Sequence, residues 1–305
     1  MATGLPAGVS VFERGWLSSN NVLFVGRHDT ALVDTGYVTH AAQTLALVEN
    51  ALGQRSLDRV LNTHLHSDHC GGNAALQARY PALCTEIPPG DAEAVAEWNE
   101  NALSYAATGQ SCPQFRFDKL LEPGSECLLG DAAWEVHAAP GHDPHSVILF
   151  EPFTRTLISA DALWENGFGV AFPELAGEPS FGELAATLDL IDALRPALVI
   201  PGHGRIFQDV DLALLTARQR LARLVQDPHK HARHAMKVLI KFKLLELQVV
   251  TQQSLLSWVH ATPYFAAIQA RFFEAQSIAD IYIQLLDELA ESNAAVIDGD
   301  LIKDN

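Results

Sequence analysis

Thr63-His64-Leu65-His66-Ser67-Asp68-His69-Cys70-Gly71-Gly72 places three imidazoles and a carboxylate within six consecutive residues. A regular helix would spread these side chains around its circumference, whereas a loop can aim all of them into one volume. Neutral imidazole together with carboxylate is the donor set of a borderline-soft divalent ion such as zinc. The other reading, a polar surface loop in a chain that carries 13 histidines, does not account for such local density.

Outward from this stretch, both flanks read as alternating strands and helices. On the N-terminal side, residues 22–25 and 30–33 are β-rich runs around the turn-like Gly26-Arg27-His28-Asp29, a hairpin that ends at Asp34-Thr35-Gly36. Residues 40–52 carry Leu45, Val48 and Leu52 at helical spacing, and 57–62 return to a short strand that runs into His64. A helix is expected over 74–79, so the histidine cluster sits on a strand-to-helix loop. On the C-terminal side a helix is expected over 92–103. Strands follow at 126–129, 134–138, 147–150 and 156–159, the first two joined by Gly130-Asp131. An amphipathic helix over 181–194 ends at Arg195-Pro196, and 198–200 is a strand that delivers Pro201-Gly202-His203-Gly204. Two β-then-α halves predict two facing sheets with helices outside.

The motifs, taken in order, give the chain a resemblance to the metallo-β-lactamase superfamily. His64 to His69 match its H-x-H-x-D-H signature. Pro140-Gly141-His142, Ser159-Ala160-Asp161-Ala162 and Pro201-Gly202-His203-Gly204 match its later ligand motifs, and Asp34-Thr35-Gly36 matches an early strand-ending motif. The resemblance covers roughly residues 20–210 and implies an α/β fold, the αββα four-layer sandwich. It implies one metal ion on His64, His66 and His142, and a second on Asp68, His69 and His203, with Asp161 bridging. Two divalent ions are therefore expected, Zn²⁺ by donor type, with iron or manganese as alternatives in a carboxylate-bridged site. Hydroxide shared by the two cations would be the nucleophile, because metal binding lowers the pKa of water to about 7. Asp68 would orient that hydroxide and relay its proton. Asp34 has two readings, a hydrogen-bond acceptor behind a ligand histidine or a turn aspartate.

Within the superfamily, Asp161 and the lack of a suitably placed cysteine argue against antibiotic hydrolysis. Ser67, where the flavodiiron branch carries a glutamate, argues against redox iron. The ligand set is similar to the glyoxalase II, thioesterase, lactonase and phosphodiesterase branches. The expected activity is hydrolysis of a small-molecule thioester or related carboxylic ester or lactone. Two further residues are candidates for catalysis. His145, where the commoner form of the motif has glycine, either touches substrate or is structural. Tyr37, after the Asp-Thr-Gly turn, either stabilises an oxyanion at the site mouth or packs. Cys70 reads as buried filler.

A length of 305 residues admits two units, and the charge of -17 is unevenly spread. Residues 1–210 hold 26 acids against 10 bases, and 211–305 hold 11 against 10. This change predicts a catalytic unit over 1–210 and a helical C-terminal unit over 211–305, serving as lid, dimer seam or winged-helix-like module. Helices are expected over 212–225, 232–247, 254–260 and 278–290, then a hairpin around Asp298-Gly299. Arg233, Lys237 and Lys241 recur every four residues opposite Ala235, Leu239, Phe242 and Leu245. That basic row is either a solvated face or a patch for an anionic partner, coenzyme A phosphates or RNA. Endoribonuclease or phosphodiesterase activity is accordingly the alternative function, although the acidic catalytic half would repel a polyanion. A third reading is a non-catalytic, metal-containing regulatory protein. Trp258, Tyr264, Phe265, Phe272 and Phe273 form an aromatic concentration, read as small-domain core, lid or seam of a homodimer. His229, His231 and His234 lack the spacing of a further metal site. No run approaches the roughly 18 apolar residues of a membrane span, and residues 1–12 lack the features of a leader. Four cysteines without C-x-x-C spacing suit a reducing compartment, so a cytoplasmic location without membrane contact is expected.

Overall fold

Short apolar runs whose side chains alternate in direction build two sheets, and the computed structural model, which describes residues 4–305, sets them face to face. The first holds β1 (Val9–Phe12), β2 (Asn21–Val25), β3 (Thr30–Val33), β4 (Arg59–Leu61), β5 (Cys84–Ile87) and β6 (Lys119–Leu120) in that spatial order. The second has the order β11-β10-β9-β8-β7, from β7 (Glu126–Leu129), β8 (Ala132–Ala138), β9 (Val147–Glu151), β10 (Thr156–Ala160) and β11 (Leu198–Pro201). Strands joined by tight turns pair antiparallel, whereas β3, β4, β5 and β6 pair parallel, as do β10 and β11. Parallel neighbours need a crossover, and helices supply the longest of these connections.

The period of two decides what each face buries. From the first sheet Val22, Phe24, Val33 and Leu61 point inward to meet Trp134, Val136, Leu149, Ile158 and Ile200 of the second. Their neighbours Leu23, Leu32 and Val60 point outward under α1 (Ala41–Leu52), and Leu76 of α3 (Asn73–Arg79) joins them; the one-turn α2 (Ser67–Cys70) lies between these helices in sequence. On the far side Ile148, Leu157 and Val199 lie under α7 (Ser180–Leu194) and α8 (Val210–Gln226). The result is the four-layer αββα order that the sequence predicts. Shorter helices, α4 (Ala92–Glu97), α5 (Tyr105–Thr108) and α6 (Phe172–Ala176), stand on the loops around one rim. The helix expected over 92–103 stops at Glu97, because Trp98 turns left-handed with φ 53°.

Beyond the sandwich come α9 (Pro228–Leu247), β12 (Val249–Thr251), α10 (Gln252–Ala261), α11 (Pro263–Phe272), α12 (Ile278–Glu291), β13 (Ala295–Asp298) and β14 (Leu301–Asp304). The last strand pairs between the other two, in the order β12-β14-β13. A helix, a strand, further helices and a hairpin whose second strand lies centrally follow the order of a winged helix, with one extra helix included. These elements share an apolar core of their own, with Leu239, Leu244, Leu255, Phe265, Ile281 and Leu285, into which Val170 and Leu175 also reach. Val210, Leu214 and Leu221 of α8, by contrast, pack with α7 on the sandwich. On these packing grounds we propose a boundary at Asp227-Pro228 rather than at 210. Residues 1–3, with which both the expected catalytic unit and the stretch read for a leader begin, lie outside the described residues. Among the described residues no helix is long and apolar enough to cross a membrane.

Candidate metal centre

Four loops at one rim of the sandwich carry the seven expected ligands. The loop after β4 delivers His64 and His66, and α2 adds Asp68 and His69 within one turn. His142 comes from the β8–β9 connection, Asp161 follows β10 and His203 follows β11. The close approach of these loops is visible in their backbones. Asp34 and Ala160 adopt φ values of 58° and 45°, a left-handed region that L-residues enter at a cost and keep only where surroundings over-determine it. At Gly202 a Cβ atom would lie 2.2 Å from Asp161 Oδ1, so only glycine lets the end of β11 pass the carboxylate. Asn20 clamps this last loop, its side-chain amide donating to the carbonyls of Pro201 and Gly204 at 2.9 and 2.8 Å.

The ligand atoms fall into three overlapping groups, His64 with His66 and His142, His64 with His69 and Asp161, and Asp68 with His69 and His203. His66 Nδ1 lies 3.1 Å from His64 Nε2 and 2.8 Å from His142 Nε2. His142 Nδ1 donates to the Val170 carbonyl at 2.6 Å, so its inward Nε2 presents a lone pair. Burial holds His64 well below the usual imidazole range and, with nearby His66, pushes His142 down to about 4. Both are therefore neutral donors at pH 7. Asp161 lies between the groups, 3.4 Å from His69 Nε2, 3.4 Å from His142 Nε2 and 3.9 Å from His203 Nε2. Asp68 Oδ2 is 3.0 Å from His203 Nε2.

These residues fit a pair of divalent ions. His69 Nε2 is buried without a hydrogen-bond partner among the described residues, while its Nδ1 is fixed at 2.8 Å by Asp34 Oδ2. Asp34 is itself held by the Thr63 amide and hydroxyl at 2.9 and 2.8 Å. Burial opposes charge on His69, yet the carboxylates of Asp161 and Asp34 outweigh it and hold that imidazole well above its ordinary range. The same field that would keep a proton at Nε2 favours a cation there. Donor spacings near 3 Å also match neighbours around one ion with ligand bonds of about 2 Å.

Residues 14–203 match the family model of the Metallo-beta-lactamase superfamily. The chain belongs to that superfamily. A hydroxyacylglutathione hydrolase of Francisella tularensis subsp. holarctica is 30% identical over 166 residues, 54% of this chain and 56% of that protein. This chain thus spans little more than half of that relative's length. A hydroxyacylglutathione hydrolase of Anaeromyxobacter dehalogenans is 31% identical over 222 residues, 70% of this chain and 74% of that protein. Among solved structures, a metallo-beta-lactamase family protein from Thermus thermophilus superposes with a TM-score of 0.57 at 19% identity, covering 98% of this chain and 99% of that one. This last likeness extends the shared fold through the C-terminal helices.

Against this superfamily frame, the seven ligand candidates come together and Asp34 takes its place behind His69. The two further catalytic candidates do not join them. Tyr37 is fully buried, edge-on to Phe242 at 5.0 Å, and its hydroxyl accepts from the Ser111 amide at 3.2 Å. Burial and the nearby Glu246 push this phenol up, so it is a packed neutral group behind Phe242, which lines the cavity where Tyr37 does not. His145 is exposed, its ring lying over Gly90, because the Asp143 side chain accepts from the His145 amide at 2.8 Å and turns the loop outward. Asp143 takes the inward position instead, with Oδ2 3.8 Å from His66 Nε2. Cys70 Sγ faces Tyr105 Oη at 3.2 Å and Cys112 Sγ at 3.7 Å, away from the ligands.

The cluster forms part of the wall of a cavity of about 600 Å³. Trp16 stacks on His203 at 5.6 Å, and Trp164 lies edge-on to the same ring while its indole N–H donates to Asp161 Oδ1 at 3.2 Å. Phe172 flanks His66 and His142, and its carbonyl accepts from Tyr264 Oη at 2.8 Å. Leu239, Phe242, Leu245 and Tyr264 from the C-terminal helices complete the wall. Trp16, Trp164 and Phe172 carried no motif; their role depends on elements brought together from distant parts of the chain. The basic row of α9 is engaged internally. Arg233 pairs with Glu288, Lys237 with Glu288 at 2.8 Å, and Lys241 with Asp304 at 2.6 Å.

Proposed function

We propose that this chain hydrolyses a small-molecule thioester or a related carboxylic ester or lactone. The observation that carries the proposal is the pair of three-residue ligand clusters, with Asp161 between them, at the wall of a largely aromatic and aliphatic cavity. His64, His66 and His142 would hold one divalent ion and Asp68, His69 and His203 the other, zinc by donor type. Ions so held supply hydroxide at neutral pH and polarise a carbonyl. Asp68, within reach of His203, orients the attacking group and takes its proton. Asp161 is kept in place by the Trp164 indole. Trp16, Trp164 and Phe172 receive the apolar part of the substrate and exclude water from the scissile bond. The curated relatives support this reading, since they are named for cleaving an acylglutathione and an acylglutathione is a thioester.

The alternative, endoribonuclease or phosphodiesterase, draws support from the winged-helix order of α9 to β14. It draws less from charge, because Arg233, Lys237 and Lys241 already engage Glu288 and Asp304 and offer few free contacts to phosphates. A non-catalytic regulatory role has no observation in its favour. Metal analysis combined with turnover assays on acyl-CoA, acylglutathione, lactone, aryl phosphodiester and single-stranded RNA decides among the three. Thioester or lactone turnover without RNA cleavage is the expected outcome. RNA cleavage alone would replace the proposal with its alternative, and inert protein with a full metal complement would leave the regulatory reading.

A further inference from the structure

Arg220 reaches the same cavity from α8 carrying a charge that no carboxylate within ion-pair distance answers among the described residues. Its neighbour on the helix, Arg218, shows the usual arrangement, paired with Asp189 at 2.8 Å and Asp192 at 2.9 Å. Arg220 is half-buried and has instead one neutral acceptor and one aromatic face. Its Nη2 donates to His234 Nε2 at 2.8 Å, and its guanidinium carbon lies 4.9 Å from the centre of the Phe168 ring. Burial and the Arg220 charge push His234 down to about 3, so that imidazole is a neutral acceptor and adds no counter-charge. The nearby cations are Arg223 on the same helix and Lys237 on α9, the latter already on Glu288.

A cation withdrawn from water without a partner is costly, and the cost is recovered when an anion arrives. The planar guanidinium fork suits the two oxygens of a carboxylate or phosphate, and most of its five N–H groups have no acceptor among the described residues. Its position also suits a substrate. Arg220 lies against Gly167 and Phe168, and the next two residues touch the metal cluster: Gly169 abuts the His142 ring, and the Val170 carbonyl accepts its Nδ1 proton. We propose that Arg220 binds an anionic group, a carboxylate or a phosphate, that the substrate carries apart from its scissile carbonyl. This rests on the ester-hydrolase reading for the bond that is cut, and on the unanswered charge alone for the anion.

The test compares four thioesters of one length on the metal-loaded enzyme: a neutral one, one with a carboxylate at the acyl end, one with a carboxylate at the thiol end, and one with a phosphate at the thiol end. Non-hydrolysable thioether counterparts are titrated by calorimetry in parallel. At least one charged compound should surpass the neutral one by about 10-fold or more in kcat/KM and in affinity, the size of a charge-assisted hydrogen bond. Arg220→Met should abolish that ratio, Arg220→Lys should keep part of it, and Arg218→Met should preserve it. The end that carries the preferred anion tells which half of the substrate faces Arg220. Equal losses on charged and neutral compounds in Arg220→Met would reduce Arg220 to a tether for the 164–170 segment and overturn the proposal. So would a wild-type enzyme that does not discriminate. If no thioester is turned over, the thioester form of the proposed function fails, while the calorimetric ratio still tests the anion site.

Discussion

At the rim of the sandwich, His64, His69, His142, Asp161 and His203 are buried within a few ångströms of one another, and two of their ring nitrogens, His69 Nε2 and His203 Nδ1, have no hydrogen-bond partner among the described residues. In the C-terminal helices, by contrast, Arg233, Lys237 and Lys241 each find a carboxylate on α12 or β14, and the interior is aliphatic and aromatic. The first region concentrates polar groups whose mutual field favours a bound cation. The second satisfies its own charges and is held by what it buries. Substitutions should therefore separate the two, metal and activity failing in one region and stability in the other.

The largest effect is expected at Asp161, which touches both ligand groups. Asp161→Ala should lower kcat/KM on the best substrate by on the order of 10³-fold, beyond the 10–100-fold typical of outer partners. Metal content measured by elemental analysis should fall with it. Retention of both the rate and the metal would remove the distinction between the regions. Leu285→Ala does the converse. Leu285 is fully buried in the C-terminal core, and its truncation should cost about 2–5 kcal/mol in urea unfolding with metal stoichiometry unchanged. Loss of metal in that variant would mean that the helices hold the rim together rather than merely covering it.

The same contrast explains how much could be read from the sequence. His64, His66, Asp68 and His69 sit within one short loop, so their convergence needs no knowledge of distant chain, and the Gly-flanked His142 and His203 extend the motif. The sandwich was legible from its strands of alternating or continuous apolar residues. Tyr37 and His145 lie apart from the ligands because loop position does not fix side-chain direction; a single Asx turn at Asp143 sends His145 outward. Trp16, Trp164 and Arg220 carried no signal because each matters through neighbours far along the chain. The basic row on α9 was visible, but Glu288 and Asp304, more than 50 residues on, were not identifiable as its partners. Strands β1 and β12 are too short, and too dependent on pairing, for periodicity to reveal.

A smaller effect is expected where the rim's polar groups support one another. Asp34→Asn keeps the shape behind His69 but weakens the acceptor for its Nδ1–H. Metal affinity, measured by competition with a chelator, should fall by roughly 10–100-fold, with little change in the substrate preference that the cavity walls set. An unchanged affinity would make Asp34 a turn residue whose contact with His69 is incidental.

The smallest effect probes the seam between the two regions. His231 of α9 is buried, 5.1 Å from the Phe181 ring of α7, and its Nε2 has no hydrogen-bond partner among the described residues. Burial, then the charge of Arg220, pushes its pKa down to about 4, below the unfolded value near 6.5. Between these values the unfolded chain binds a proton that the folded chain refuses. Stability is therefore unaffected above pH 6.5 and falls as the pH drops from 6.5 towards 4, by roughly 1–2 kcal/mol between pH 7 and pH 5 for this group. His231→Phe removes the proton site and preserves an aromatic contact with Phe181. The gap between variant and wild type in urea unfolding should widen in the variant's favour as the pH falls, whereas protons displaced from the metal ligands act on both proteins alike. A pH-independent gap would mean that His231 is solvated or protonated in the folded chain, and that the two regions meet across a wet contact rather than a dry one.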